Sequence, residues 1–166
     1  FHLNNLEKLS LAYQKESSTF YHSPKLRKLI NLSLKFWCDH DFISGNWYHN
    51  EVSTPRDLIS VLLLMDDQVE DDLKNKALII ISRAHLNAPG ARPGGDRIKF
   101  GGTDAKRRLV IGDEKSFSEI MKVINNEVYF NTGGRGMQHD YSFHHRYDRV
   151  NTTYSYGANY ADVFAE

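Results

Sequence analysis

A chain of 166 residues, 40% hydrophobic and 25% charged, is long enough to bury a core and too apolar for a disordered protein. Its 21 basic and 21 acidic residues leave no net charge, which disfavours nucleic-acid binding because that function usually needs a basic excess. No apolar run approaches the roughly 20 residues of a transmembrane helix. We therefore expect neither nucleic acid nor a membrane as a partner, and the sequence predicts no particular oligomeric state.

Apolar residues that recur on one face predict four or five helices, and the sequence shows almost no alternating strand pattern. The positions predicted to be buried are, in chain order, Leu3, Leu6, Leu9 and Tyr13; Leu26, Leu29, Ile30, Ser33 and Trp37; Leu58, Val61, Leu62 and Met65; Val69, Leu73, Ala77, Ile80, Ile81 and Ala84; and Phe117, Ile120, Met121, Ile124 and Val128. Proline at the first helical position predicts that the second helix starts at Ser23-Pro24 and the third at Thr54-Pro55. A further short helix is predicted over residues 103–111.

Three long segments separate these helices. Residues 39–53 are aromatic and polar, residues 87–102 carry five glycines and two prolines and are predicted to be a loop, and residues 131–156 are rich in Gly, His, Arg and Tyr. Paired helices with alternating short and long connections predict an all-α fold, a segment of an (α/α) toroid whose long loops gather at one end and carry the chemistry. Because Phe1 is not a natural start, we expect residues 1–166 to be part of a single toroidal catalytic domain within a longer chain.

The chemistry is concentrated in residues 136–157, which hold three histidines, four tyrosines and two arginines. A core element cannot bury this many polar groups without partners, so the segment is either a solvated surface loop or a functional one. A zinc site is disfavoured, because His139, His144 and His145 do not repeat at a ligand spacing. No Gly-x-Ser-x-Gly turn is present for a nucleophilic serine.

Two other kinds of function stay open from the residues alone. Asp140, Asp148 and Asp162 are close enough in sequence to supply the paired carboxylates of a toroidal glycoside hydrolase. A non-catalytic carbohydrate-binding module would instead use the aromatic pair Trp47 and Tyr48.

Three stretches, in this order, resemble polysaccharide lyase family 8, which includes hyaluronate, chondroitin AC and xanthan lyases. They are Asn46-Trp47-Tyr48 with the following Glu51 and Thr54-Pro55-Arg56, residues 136–143 with the histidine after them, and Ser155-Tyr156-Gly157. A related toroidal family acting on alginate or glucuronan is an alternative match. The resemblance implies an enzyme that cleaves an acidic, uronate-containing polysaccharide by β-elimination. It also implies that the protein is secreted or periplasmic.

The chemistry of this reaction can be matched to the residue types present. The uronate C5 proton is weakly acidic, so donors or cations on the neighbouring carboxylate must stabilise the enolate-like intermediate. A base removes this proton, and an acid protonates the leaving glycosidic oxygen. Tyrosine normally titrates near pH 10, and adjacent arginine or histidinium lowers that value. Tyr, His and Arg are therefore sufficient, and no cofactor or metal is required.

The resemblance places Tyr156 at the catalytic tyrosine, because this residue precedes the glycine that opens the next helix. After a short insertion relative to the family, the catalytic histidine is either His145 or His144. The family's loop has the catalytic histidine nine residues before the tyrosine. Because His145 lies nine residues before Tyr154, the pair His145 and Tyr154 is an alternative. Tyr156 is expected to act as the acid, or as both acid and base, and His145 as the base or as the group that neutralises the substrate carboxylate. Arg149 is expected to tune the tyrosine.

Substrate-binding residues follow from the same resemblance. Trp47 and Tyr48 are expected to stack on sugar rings, unless Trp47 fills the core. Asp104 stands where the family has an asparagine that faces the substrate carboxylate, and an ionised aspartate would repel a uronate. Three roles are therefore open for Asp104: it is protonated, it orients Arg107, or it only caps a helix. If Asp104 does not bind the carboxylate, the candidate donors are Arg146, Arg149 and Asn46.

Overall fold

The computed structural model of the chain describes residues 1–146, 151–158 and 160–161. The chain divides into two units, residues 1–83 and residues 84–166. Helices account for most of the described residues, so the predicted all-α class is confirmed. Within this described part, no helix is both long enough and apolar enough to cross a membrane.

Four α-helices build the first unit. They are α1 (His2–Gln14), α2 (Pro24–His40), α3 (Thr54–Met65) and α4 (Asp71–Ile81), with a π-helical turn at His49–Ser53 and a 3-10 turn at Asp66–Gln68. α1 packs against α2 and α3, and α4 packs against the same two helices. α2 begins where the proline predicts, because the Ser23 hydroxyl accepts a hydrogen bond from the backbone N–H of Leu26.

The core of the first unit confirms the predicted faces of two helices and corrects a third. All the residues predicted to be buried on the third and fourth helices are buried. On α2, in contrast, Leu29 is half exposed, and the buried face consists of Leu26, Ile30, Leu34 and Cys38, one residue every four. Both sides of α2 carry apolar residues, so the periodicity alone does not identify the inward side.

The second unit contains α5 (Gly95–Val110) and α6 (Glu114–Asn125), which pack against each other. The prediction of a loop over residues 87–102 and a helix only from residue 103 is wrong, since α5 begins at Gly95. Gly94 has a φ of 89°, and its N–H donates to Glu127 Oε2 at 2.5 Å. Arg97 Nη1 donates to the other oxygen of Glu127 at 2.8 Å, so a distant buried carboxylate holds the start of the helix.

Two adjacent glycines in α5 meet different surroundings. A Cβ on Gly101 would lie 3.0 Å from Ile124 Cγ1 and 3.1 Å from Leu86 Cδ2, whereas a Cβ on Gly102 would meet nothing within 4 Å. Gly101 is therefore a point of close approach between α5 and its neighbours. Gly102 has no such packing role, and its low helix propensity only destabilises α5.

These surroundings predict opposite responses to alanine. Gly102→Ala is expected to raise the free energy of unfolding by about 0.5–1 kcal/mol through helix propensity. Gly101→Ala gains the same propensity, but overpacking costs about 1–3 kcal/mol, so it is the less stable of the two. Thermal unfolding of both variants measures the difference. Equal midpoints would contradict the close packing at Gly101.

A small sheet follows α6 in the stretch that was predicted to be a loop. Its strands are β1 (Phe130–Asn131), β2 (Gly136–Gln138) and β3 (Phe143–His144), in that order across the sheet. β1 and β2 are parallel, and β2 and β3 are antiparallel, with Met137 opposite Phe143. The sequence, which has almost no alternating strand pattern, did not predict this sheet.

Candidate active site

The turn between β1 and β2 is fixed by one buried side chain. Gln138 accepts a hydrogen bond from Gly133 N–H and donates to the carbonyls of Gly134 and Gly136, each at 3.0 Å. Gly133 and Gly136 have φ values of 79° and 104°, which other residues rarely adopt. The side-chain amide of Gln138 therefore satisfies the hydrogen bonds of these backbone groups and fixes the position of Arg135 within the turn.

A second set of hydrogen bonds joins β3 to the segment after residue 150. Thr152 N–H donates to the Phe143 carbonyl at 2.8 Å, and Phe143 N–H donates to Thr153 Oγ1 at 2.9 Å. His145 N–H donates to Thr152 Oγ1 at 3.1 Å. These bonds hold the backbone of His145 beside the π-helical turn Thr153–Gly157.

The outcome is a direct contact between His145 and Tyr156, two of the residues predicted to be catalytic. Their rings stack with centroids 3.8 Å apart and planes inclined by 4°. Tyr156 is 46% exposed and His145 is partly buried, so the pair is open to solvent on one side. Tyr154, the alternative tyrosine, is fully exposed. The geometry therefore favours the pair His145 and Tyr156.

The electrostatic surroundings of His145 favour its neutral form. Burial lowers the pKa of this imidazole below its ordinary value of 6.5, and Arg135, Arg92 and Arg146 lower the pKa further. Asp96 acts in the opposite direction. A neutral imidazole has a lone pair and can accept a proton.

Gly157 keeps the turn that carries Tyr156 close to β3. A Cβ at this position would lie 2.9 Å from Phe143 Cβ, which is closer than real Cβ atoms approach. Phe143 is itself held in the core by the ring of Tyr160, with centroids 4.8 Å apart.

Gly157→Ala is therefore expected to displace Tyr156 and to lower kcat/KM by about 10²-fold, the size of effect that a misplacement of about 1 Å produces. Gly102→Ala is the matched control, because its Cβ has open space and activity should not change. Steady-state kinetics of the full-length protein provides the comparison. Full activity in Gly157→Ala would show that the position of Tyr156 does not matter.

The other predicted loop residues have different surroundings. His144 Nε2 lies 3.3 Å from Ser142 Oγ, and its buried Nδ1 has no hydrogen-bond partner among the described residues. Arg146 is exposed. Arg149 lies outside the described residues.

Asp104 is engaged in ion pairs within its own helix. It is buried and accepts hydrogen bonds from Arg107 Nε at 3.0 Å and Arg107 Nη2 at 2.7 Å. Arg108 Nε forms an ion pair with the same carboxylate at 3.4 Å, without a hydrogen bond. Of the roles considered for this residue, orientation of Arg107 is the one that the geometry shows. Its carboxylate is already paired with two guanidinium groups.

The aromatic segment of the first unit is exposed. Trp47 is 41% exposed, and its ring meets that of Tyr48 edge to face at 5.8 Å. Asn46 Oδ1 accepts a hydrogen bond from Tyr48 N–H at 3.1 Å. Trp47 does not fill the core, so its ring can contact a sugar.

Sequence reasoning missed three charged residues around His145. Asp96 is buried in the first turn of α5, and its Oδ2 pairs with Arg92 Nη2 at 3.1 Å and Arg135 Nη2 at 3.2 Å. No local sequence pattern indicates these pairings, because Arg92 precedes α5, on the other side of Pro93 and Gly94, and Arg135 lies 39 residues after Asp96.

Two other features carry no assigned chemistry. Across the described ranges, no three His, Cys, Asp or Glu side chains converge as a metal site would require. A groove of about 610 Å³ in the first unit, lined in part by Arg27, Lys28 and Lys35, contains none of the predicted site residues. Lys35 is paired there with Asp39.

Comparison with known proteins agrees with this description. Residues 1–163 match the model of the polysaccharide lyase family 8 N-terminal alpha-helical domain. Chondroitinase-AC of Pedobacter heparinus is 30% identical over 145 residues, 86% of this chain and 20% of that protein. The chain therefore spans about a fifth of this relative.

Solved structures show the same fold. A chondroitinase AC lyase studied as enzyme–oligosaccharide complexes has a TM-score of 0.85 at 30% identity, over 98% of this chain and 24% of that one. A Paenibacillus xanthan lyase has a TM-score of 0.81 at 19% identity, over 95% of this chain and 15% of that one. The second likeness concerns the fold alone.

Proposed function

The chain belongs to polysaccharide lyase family 8, and from this premise we propose that the protein cleaves a uronate-containing polysaccharide by β-elimination. The product would carry an unsaturated uronate at its new end. The observation that supports this most directly is the stacked pair of His145 and Tyr156. It combines a base and an acid on adjacent rings beside several arginines.

The proposed roles follow from the chemistry of the two side chains. His145, whose pKa is lowered by burial, is neutral near pH 7 and removes the C5 proton. The phenolic hydroxyl of Tyr156 donates its proton to the glycosidic oxygen as the C4–O bond breaks. Electrons from the C5–H bond form the C4–C5 double bond, so no external oxidant or reductant is needed. Trp47 and Tyr48 would stack on sugar rings.

The substrate is an acidic polysaccharide, and its site of degradation is outside the cytoplasm. The two relatives that are 30% identical to this chain, chondroitinase-AC of Pedobacter heparinus and the chondroitinase AC lyase solved with oligosaccharides, are both named for chondroitin. We therefore place chondroitin first among the substrates to test. From the membership of this family, a secreted or periplasmic protein is proposed.

The test is the ultraviolet absorbance of the new carbon–carbon double bond. The full-length protein is incubated with chondroitin, hyaluronan, xanthan, alginate and glucuronan, and absorbance is followed with time. Absorbance that rises with at least one polymer supports a lyase. New reducing ends without this absorbance would indicate a hydrolase, and neither signal would indicate a binding module.

The hydrolase alternative has little support from the described carboxylates. Asp140 accepts hydrogen bonds from Ser142 Oγ at 2.7 Å and Ser142 N–H at 3.0 Å, which lower the pKa of its carboxyl. A glycosidase acid needs the opposite shift, because it must stay protonated near neutral pH. Asp148 and Asp162 lie outside the described residues.

A further inference from the structure

Two arginines share one buried carboxylate beside the stacked pair. Asp96 Oδ2 pairs with both Arg92 and Arg135, at 3.1 and 3.2 Å. One carboxylate neutralises one guanidinium, so the three side chains carry a net charge of about +1. This local excess is notable in a chain whose formal net charge is zero.

The guanidinium of Arg135 has an unused donor. Its side chain is only 9% exposed, and its Nε is buried without a hydrogen-bond partner in the part of the chain described. A buried charged donor without a partner is costly, so a native protein usually keeps one for a ligand or an ordered water. The side chain of Arg92 is 52% exposed, so solvent reaches the cluster from that side.

The cluster lies close to the proposed catalytic pair. Arg135 precedes Gly136 of β2, and Gly136 pairs with His144 of β3, the residue before His145. Asp96, Arg135, Arg92 and Arg146 are also the charged groups that act electrostatically on the imidazole of His145. A sugar at His145 would therefore lie beside the strand that follows Arg135 and in the electrostatic field of these arginines.

We infer that Arg92 and Arg135, oriented by Asp96, bind an anionic substituent of the glycan, either a carboxylate or a sulfate ester. Both groups match the planar fork of a guanidinium. The inference rests on the proposed function, because it places the glycan at His145 and Tyr156. The two arginines would also supply a positive charge for the substrate anion. Asp104, which is acidic and already paired with Arg107 and Arg108, cannot do so.

The test measures binding rather than turnover. Affinity for a chondroitin sulfate oligosaccharide is determined by calorimetry with the full-length protein in a Tyr156→Phe background, so that the probe is not cleaved. Arg92→Gln and Arg135→Gln are each expected to weaken binding by about 10- to 100-fold, the loss of a charge-assisted hydrogen bond.

The matched control is Arg108→Gln, which removes the same charge from α5, twelve residues or about 18 Å along the helix from Asp96. Its guanidinium forms ion pairs with Asp104 and Asp113, and its Nε, like that of Arg135, is buried without a hydrogen-bond partner among the described residues. Arg108 therefore shares this feature but is far from Asp96, and affinity should not change. If Arg135→Gln does not fold, the half-exposed Arg92→Gln decides. Unchanged affinity in Arg92→Gln, or an equal loss in the Arg108→Gln control, overturns the inference.

Two modified probes identify the anion. If the substitutions weaken binding of a desulfated oligosaccharide but not of a carboxyl-reduced one, the arginines bind the carboxylate, and the reverse pattern identifies the sulfate ester. Weakened binding in a protein that shows no lyase activity would support the anion site and contradict the proposed reaction. Lyase activity with unaffected binding in both arginine variants would contradict the anion site alone.

Discussion

Tyr156→Phe is expected to lower kcat by about 10²- to 10⁴-fold, the usual contribution of a positioned acid or base. The substitution removes only the phenolic oxygen, so the ring still stacks on His145 at 3.8 Å and the turn keeps its shape. Without the hydroxyl, the leaving glycosidic oxygen has no proton donor at this position. Initial rates of unsaturated product formation by the full-length protein measure the effect.

The matched control for this prediction is Tyr154→Phe, two residues earlier in the same π-helical turn. Tyr154 is fully exposed, whereas Tyr156 is 46% exposed and stacked on His145. We expect Tyr154→Phe to retain the activity of the parent protein. A large loss in Tyr154→Phe with little change in Tyr156→Phe would instead assign catalysis to the alternative pair of His145 and Tyr154.

The sequence predicts those parts of the fold that depend on local pattern. The buried face of α3 was predicted because Leu58, Val61, Leu62 and Met65 recur at the period of one helical turn, and all four are buried. The start of α5 was missed because it depends on a contact across the unit. Glu127 holds the N–H of Gly94 from 33 residues away, and no local rule for glycine-rich segments contains that bond.

For the candidate site, too, the sequence predicts what depends on local residues and misses what depends on long-range contacts. The resemblance to the family named Tyr156 with His145 or His144. The stacking of His145 on Tyr156, which only the folded chain shows, favours Tyr156 over the fully exposed Tyr154. The pairing of Arg135 with Asp96 spans 39 residues, and neither residue has a neighbouring motif that indicates it. Long-range electrostatic contacts of this kind are visible only once the chain is folded.

His145→Gln is expected to lower kcat/KM by about 10²- to 10⁴-fold, because an amide cannot accept the C5 proton as an imidazole does. His144→Gln is the matched control. It changes the adjacent residue in the same way, and His144 contacts Ser142 rather than Tyr156. Comparable losses in both variants would indicate damage to β3 rather than removal of a base.

The pH dependence of the parent protein gives a second measure of the same role. Burial, with Arg135, Arg92 and Arg146, lowers the pKa of His145 below 6.5, so its base form persists as the pH falls through 6.5 and is lost only at lower pH. The acid limb of kcat/KM, which reports groups of the free enzyme, should therefore have its midpoint below 6.5. This limb should be absent from the residual activity of His145→Gln. A midpoint above 6.5, or a limb that survives the substitution, would mean that another group removes the C5 proton.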